Sequence, residues 1–141
     1  MLTNREIEWV RGTWRVASAD PDALATCFYE RLFTVAPDVE PLFPDDRKAQ
    51  GRKLVQMLGM AVGHMDRLER IIPAIEACGR RHVGYGALPE HYPVVGDVLL
   101  GTLEEVVGDV FTEPAKAAWT RAYAVLSTLM IDAQRALGSA A

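Results

Sequence analysis

The chemistry of this chain is best read outward from His82. It stands in Gly79-Arg80-Arg81-His82-Val83-Gly84-Tyr85-Gly86, late in an apolar helical pattern that two glycines then break. Cys78 lies four residues earlier. On a helix its backbone carbonyl can accept a hydrogen bond from the imidazole Nδ1, which leaves Nε2 to bind a metal. Two readings compete. In one, His82 is the axial ligand of a haem iron that the rest of the chain folds to enclose. In the other, it only sits near the negative end of the helix dipole, worth about 0.3–1 kcal/mol when exposed. Gln50 is the second residue with chemical potential. It interrupts an apolar stripe at positions 50, 54, 57, 58 and 61, and either snorkels to water or meets a polar partner indoors. Tyr29 is the third. It borders the face of Leu24, Phe28 and Leu32, as a site phenol or as a core tyrosine bonded to a backbone carbonyl.

The other candidates carry less. His64 falls about four helical turns beyond Gln50, too far to share a site with it. His91 opens a later helix. A zinc site from His64, His82 and His91 lacks the usual ligand spacing. Cys27 and Cys78 are far apart, without a Cys-x-x-Cys pattern, and are expected to be free thiols.

Composition sets the frame. The chain has 141 residues, half of them hydrophobic and about a quarter charged, which suits one domain with one core. A formal charge of −4 speaks against a nucleic-acid partner, which needs a concentrated basic face. No apolar run is long enough to span a membrane. Met1-Leu2-Thr3-Asn4-Arg5-Glu6 is too polar for a signal peptide, so the expected location is the cytoplasm.

Helices must position these residues, because β-branched alternation is scarce. Thr3-x-x-Glu6 is a capping box that opens the first helix, with Ile7, Val10 and Trp14 on one face and a stop near Ser18. Asp20-Pro21 restarts a helix with Asp20 as cap. Pro37 and Pro41 bracket a short turn that ends in Leu42-Phe43. Asp45-Asp46 can cap the helix of Gln50 and Leu54, which runs to about Met65. Asp66-x-x-Glu69 is a second capping signal, and Pro73 splits the His82 segment into two pieces. A helix from Glu90 to Val107 carries Tyr92, Val95 and Leu99. Thr112-Glu113-Pro114 opens the last and longest helix. The expected fold class is all-α, six or seven helices with short connections.

Phe28-Tyr29-Glu30-Arg31-Leu32-Phe33, then Leu42-Phe43, Gln50 with Leu54, His82, and His91-Tyr92-Pro93-Val94-Val95-Gly96, resemble the single-domain bacterial globins in order and spacing. The likeness extends over nearly the whole chain. It is closest to the globin domain of flavohaemoglobins and to the Hell's Gate globin. Phe111-Thr112, Ala117-Ala118-Trp119 and Tyr123 also look like neuroglobin. The resemblance implies a single globin domain over residues 1–141, a globin fold of six to eight helices, and haem b as cofactor. It implies His82 as the iron ligand, Tyr29 and Gln50 as the groups touching the bound gas, and Leu54 beside them. Phe43 takes the place of the phenylalanine at the haem edge, Tyr92 that of a proximal tyrosine, and Val95 and Leu99 those of pocket wall. Lys53 and Arg81 become propionate partners, and Tyr85 a further haem contact.

The implied ligands are O2, NO and CO at a five-coordinate iron. O2 draws partial negative charge, so a donor aimed at it makes a charge-assisted bond of about 1.5–3 kcal/mol. Tight, slowly released O2 suits oxidation of nitric oxide to nitrate better than delivery. The resemblance has two departures. Flavohaemoglobins continue into flavin and nicotinamide domains, whereas this chain stops at Ala141, so an external reductase is expected for a monomeric chain. A glutamate of that family falls, by ungapped alignment from Trp119, on Gln134, whose neutral amide cannot lend the histidine imidazolate character. Competing functions are a haem-based sensor of ligand or redox state, simple oxygen storage or transport, and a cofactor-free helical interaction domain. The last would have to fill the hollow that Phe43, Leu54, Val95 and Leu99 surround, at about 24 cal/mol per Å³ of void.

Overall fold

The computed structural model describes residues 2–43, 46–84 and 86–140, with side chains to residue 137. Six α-helices carry the chain: α1 (Asn4–Ala17), α2 (Pro21–Val35), α3 (Arg47–Gly63), α4 (Ile72–Gly84), α5 (His91–Val107) and α6 (Glu113–Ala140). Short 3-10 turns at Pro37–Leu42, Leu68–Arg70 and Gly108–Val110 join them. No strand occurs among the described residues.

Local chemistry sets most of the helix ends. Thr3 Oγ1 accepts from the Glu6 amide while the Glu6 carboxylate accepts from the Thr3 amide, closing the capping box on α1. Asp20 caps α2 through the Ala23 amide, with Pro21 at the first helical position. Asp46 caps α3 through Lys48, and Asp45 lies outside the described residues. Such caps contribute about 1 kcal/mol each.

Two expectations are corrected. Asp66 caps nothing: the 3-10 turn after it has no side-chain cap, and the carboxylate accepts from Arg11 at 2.7 Å instead. Arg11 also donates to the carbonyls of Val62 and Gly63, so α1 closes the end of α3, which stops at Gly63 rather than Met65. α5 starts at His91 rather than Glu90, and His91 Nδ1 accepts from the Leu88 amide there. Pro73 falls in the first turn of α4, where a missing N–H costs nothing. The 3-10 turn Leu68–Arg70 is the separate first piece of that segment.

Packing follows from the apolar faces. α6 lies against α4 and α1, α2 against α3 and α5, and α5 touches α1, α2 and α6. Trp119 on α6 is buried against Trp14, ring centroids 6.1 Å apart. Its Nε1 donates to Thr13 Oγ1 at 2.7 Å, and that hydroxyl reaches back to the carbonyls of Trp9 and Val10. Burying an indole of this kind transfers about 4–6 kcal/mol of apolar surface out of water, provided its N–H finds a partner, and Thr13 supplies one. α3 and α4, in contrast, hardly touch one another.

Candidate haem site

The candidate site has two sides, one formed by Tyr29 with Phe43 and Gln50, both of which it contacts, and the other by His82 and Tyr92. On the first side an aromatic cluster fixes the phenol. The Tyr29 ring meets Phe28 edge-on at 5.1 Å, stacks with Phe33 at 5.9 Å and meets Phe43 at 5.6 Å. Offset and edge-to-face pairs of this kind hold a ring in one orientation. Burial pushes the Tyr29 phenol up to about 12, so it stays a neutral donor. Its hydroxyl donates to the backbone carbonyl of Gln50 at 3.4 Å. That is the bond of the core-tyrosine reading, but it is long for an O–H···O bond. The Gln50 side chain is half-buried and makes no hydrogen bond among the described residues. It therefore neither snorkels fully nor meets an indoor partner. Leu54, one turn on, is half-buried as well.

The second side is built on backbone carbonyls. His82 Nδ1 donates to the Cys78 carbonyl at 2.7 Å, which sets the tautomer with the lone pair on Nε2. Burial lowers the histidine's pKa, opposed by the Cys78 hydrogen bond and aided by Arg81, so the imidazole is held neutral. The Cys78 Sγ lies 3.7 Å from the same nitrogen. Burial raises that thiol against the Arg81 guanidinium beside it. The Tyr92 ring is buried 6.5 Å from the imidazole centroid. Gln134, buried on α6, donates from Nε2 to the Tyr92 hydroxyl at 2.7 Å and to the Gly79 carbonyl at 3.3 Å. Tyr123 donates to the Tyr92 carbonyl at 2.6 Å. Gly79 is needed where α4 meets α6: a Cβ there would stand 2.6 Å from the Met130 carbonyl oxygen.

The remaining sequence candidates differ in exposure. Val95 is half-buried and Leu99 fully buried on α5. Lys53 and Arg81 are exposed, where long cationic side chains can reach an acid at the surface. Tyr85 lies outside the described residues. His64 Nδ1 sits at the Met60 carbonyl, 2.9 Å away, at the far end of α3. The sequence reading missed Arg47, whose guanidinium lies 4.4 Å over the Phe33 ring and pairs with Glu40. Its only sequence signal is a basic residue seven positions after an acidic one.

These residues fit a haem. The donor chemistry is a neutral imidazole with one nitrogen already bonded, as a metal-bound histidine requires. Phe43, Leu54, Val95 and Met130, on four different segments, pack against the core yet remain only partly buried. Large apolar side chains left partly uncovered, beside two helices that hardly touch, leave room for a flat apolar group.

Comparison with known proteins agrees. The profile of the family described as Globin matches residues 26–130. The Flavohemoprotein of Vibrio cholerae is 34% identical over 97% of this chain, and the chain spans 36% of that relative's length. A bacterial globin of Campylobacter jejuni has the same fold, with a TM-score of 0.85 and 25% identity over 97% of this chain and 99% of that one. A carbene transferase engineered from a Rhodothermus marinus protein superposes with a TM-score of 0.89, covering 99% of this chain and 98% of that one at 24% identity. Helix order, the histidine on α4 and the family match thus lead to one conclusion: the chain belongs to the globin family.

Proposed function

We propose that this chain holds haem b on His82 with the sixth position open, binds O2, NO and CO beside Tyr29 and Gln50, and oxidises nitric oxide to nitrate with electrons from a separate reductase. The observation that carries the proposal is the 2.7 Å bond from His82 Nδ1 to the Cys78 carbonyl. It fixes the ring and its tautomer before any metal arrives. When bound, the haem supplies a ferrous iron that takes up a diatomic gas and polarises it.

The chain's own residues supply the rest. Phe43, Leu54 and Val95 border the group and exclude water. Lys53 and Arg81 hold its polar edge. Tyr29 is kept protonated by burial. Its 3.4 Å bond to the Gln50 carbonyl is weak enough to be exchanged for a stronger one to a negatively polarised ligand. The Gln50 amide adds a second donor. On the other side, His82 leans on a neutral carbonyl, and the neighbouring Gln134 is a neutral amide. Neither draws the Nδ1 proton away as a carboxylate would, which supports gas chemistry over peroxide cleavage. In the reaction, nitric oxide, O2 and one electron give nitrate. The electron is the one thing these residues do not supply, hence the reductase.

The test is an absorption spectrum of the purified chain, ferric, then dithionite-reduced, then with CO, followed by nitric oxide consumption under O2 with a chemical reductant. The expected result is a haem spectrum with a histidine-type CO adduct that His82→Ala loses, and nitrate formed in proportion to nitric oxide lost. A colourless chain that also refuses added haemin would refute the proposal.

A further inference from the structure

A cleft of about 180 Å³ opens between α2 and α3 on the outer side of Tyr29. Its floor is Ala25, Tyr29 and Gly51, all buried. Thr26, Arg47 and Lys48 stand at its rim. We infer that this cleft is the entrance by which a diatomic gas reaches the Tyr29 side of the site, with Arg47 as its movable cover. The inference rests on the gas-binding function proposed above.

Size is the first argument. A dry apolar cavity of about 150 Å³ takes up xenon or benzene, and a water-sized molecule occupies about 30 Å³. The cleft therefore has ample room for a diatomic. The floor is the second. α2 and α3 meet here through their smallest side chains: a Cβ on Gly51 would lie 2.7 Å from the Ala25 Cβ and 4.0 Å from Tyr29 Cε2. The Tyr29 ring is itself part of that floor. The rim is the third. Its cations, Arg47 and Lys48, are matched by the carboxylates of Asp22 and Glu30, so the mouth selects no ion. An apolar floor under a charge-balanced rim suits a small uncharged gas.

Arg47 is placed to cover the opening. It reaches from the rim over the Phe33 ring and pairs with Glu40, with both partners about half exposed. Exposed pairs of this kind are weak, so the guanidinium can swing away. Tyr29 and Arg47 line the same cleft, and the guanidinium charge opposes the effect of burial on the phenol.

The test is Thr26→Trp, which puts an indole over the mouth and leaves Tyr29, Gln50 and His82 untouched. An obstructed path raises one barrier crossed in both directions. CO association after flash photolysis and CO dissociation in stopped flow are both expected to slow by about threefold or more, with their ratio unchanged. Arg47→Ala is expected to speed both by about twofold, again at constant ratio. A normal CO adduct with unchanged rates in Thr26→Trp overturns the entrance alone. A parent chain that takes up no haem overturns the gas-binding function and the entrance with it. If Thr26→Trp does not fold, xenon pressurisation of parent crystals decides: anomalous density in the cleft supports the entrance, and an empty cleft overturns it.

Discussion

Replacing Tyr29 by phenylalanine removes one hydroxyl and leaves the ring contacts with Phe28, Phe33 and Phe43 in place. Without a gas, the hydroxyl's one hydrogen bond among the described residues is the 3.4 Å donation to the Gln50 carbonyl. That is well beyond the usual O–H···O distance, so giving it up costs about 0.5 kcal/mol or less. With O2 in the site the same hydroxyl makes a charge-assisted bond of about 1.5–3 kcal/mol. The difference, about 1–2.5 kcal/mol, is the stabilisation lost in Tyr29→Phe and corresponds to a rise of about five- to sixtyfold in O2 dissociation. CO is less polar, and its dissociation is expected to change less than about threefold. The assay is stopped-flow release of O2 into excess CO, alongside CO displacement by nitric oxide. An O2 off-rate within about twofold of the parent would refute the reasoning. So would an equal change for CO, because a merely loosened pocket acts on both gases alike.

Gln134→Glu places a carboxylate where Nε2 now donates to the Gly79 carbonyl. It should lower stability by about 1–3 kcal/mol at pH 8. Burial raises the new acid's pKa, so the deficit shrinks as pH falls and the acid is protonated; urea midpoints at pH 5 and pH 8 check this. Gly79→Ala drives a methyl into the Met130 backbone and should cost about 1–3 kcal/mol, read from urea unfolding at neutral pH, where an unchanged midpoint would contradict the close approach. Burial holds the Tyr29 and Tyr92 phenols up at about 12 and raises Tyr123 as well. Their folded values exceed the unfolded value of about 10, so the stability they contribute is whole below pH 10 and is lost as pH climbs through 12. Ultraviolet titration should show these three ionising together with unfolding rather than before it.

What the sequence made legible was local. The Thr3–Glu6 box, the Asp20-Pro21 start and the Cys78–His82 pair each join residues three or four apart, or next to one another, and each formed as read. The Asp66-x-x-Glu69 signal has the same grammar and failed, because Arg11, 55 residues away, takes the carboxylate first. The hydroxyl partner of Tyr29 depends on how α2 meets α3, which no spacing reveals. Gln134 is a middle case. Alignment from Trp119 brought it to the right neighbourhood, but its simultaneous hold on Tyr92 and Gly79 needed α4, α5 and α6 in register. Arg47 gave only a charge pattern, and its position over Phe33 comes from the turn between α2 and α3.

The match to the family spans residues 26–130, and that span is shorter than the mechanical unit. Arg11 and Thr13 lie before it and Gln134 lies after it. Yet Arg11 ties off the end of α3, Thr13 accepts the hydrogen bond of the Trp119 indole N–H, and Gln134 bolts α6 to the turn of helix that carries His82. A polypeptide trimmed to the matched span would keep His82, Tyr29 and Gln50 and lose the fasteners at both ends. Family likeness therefore marks where the chemistry is written, while the self-supporting piece of chain is longer on each side.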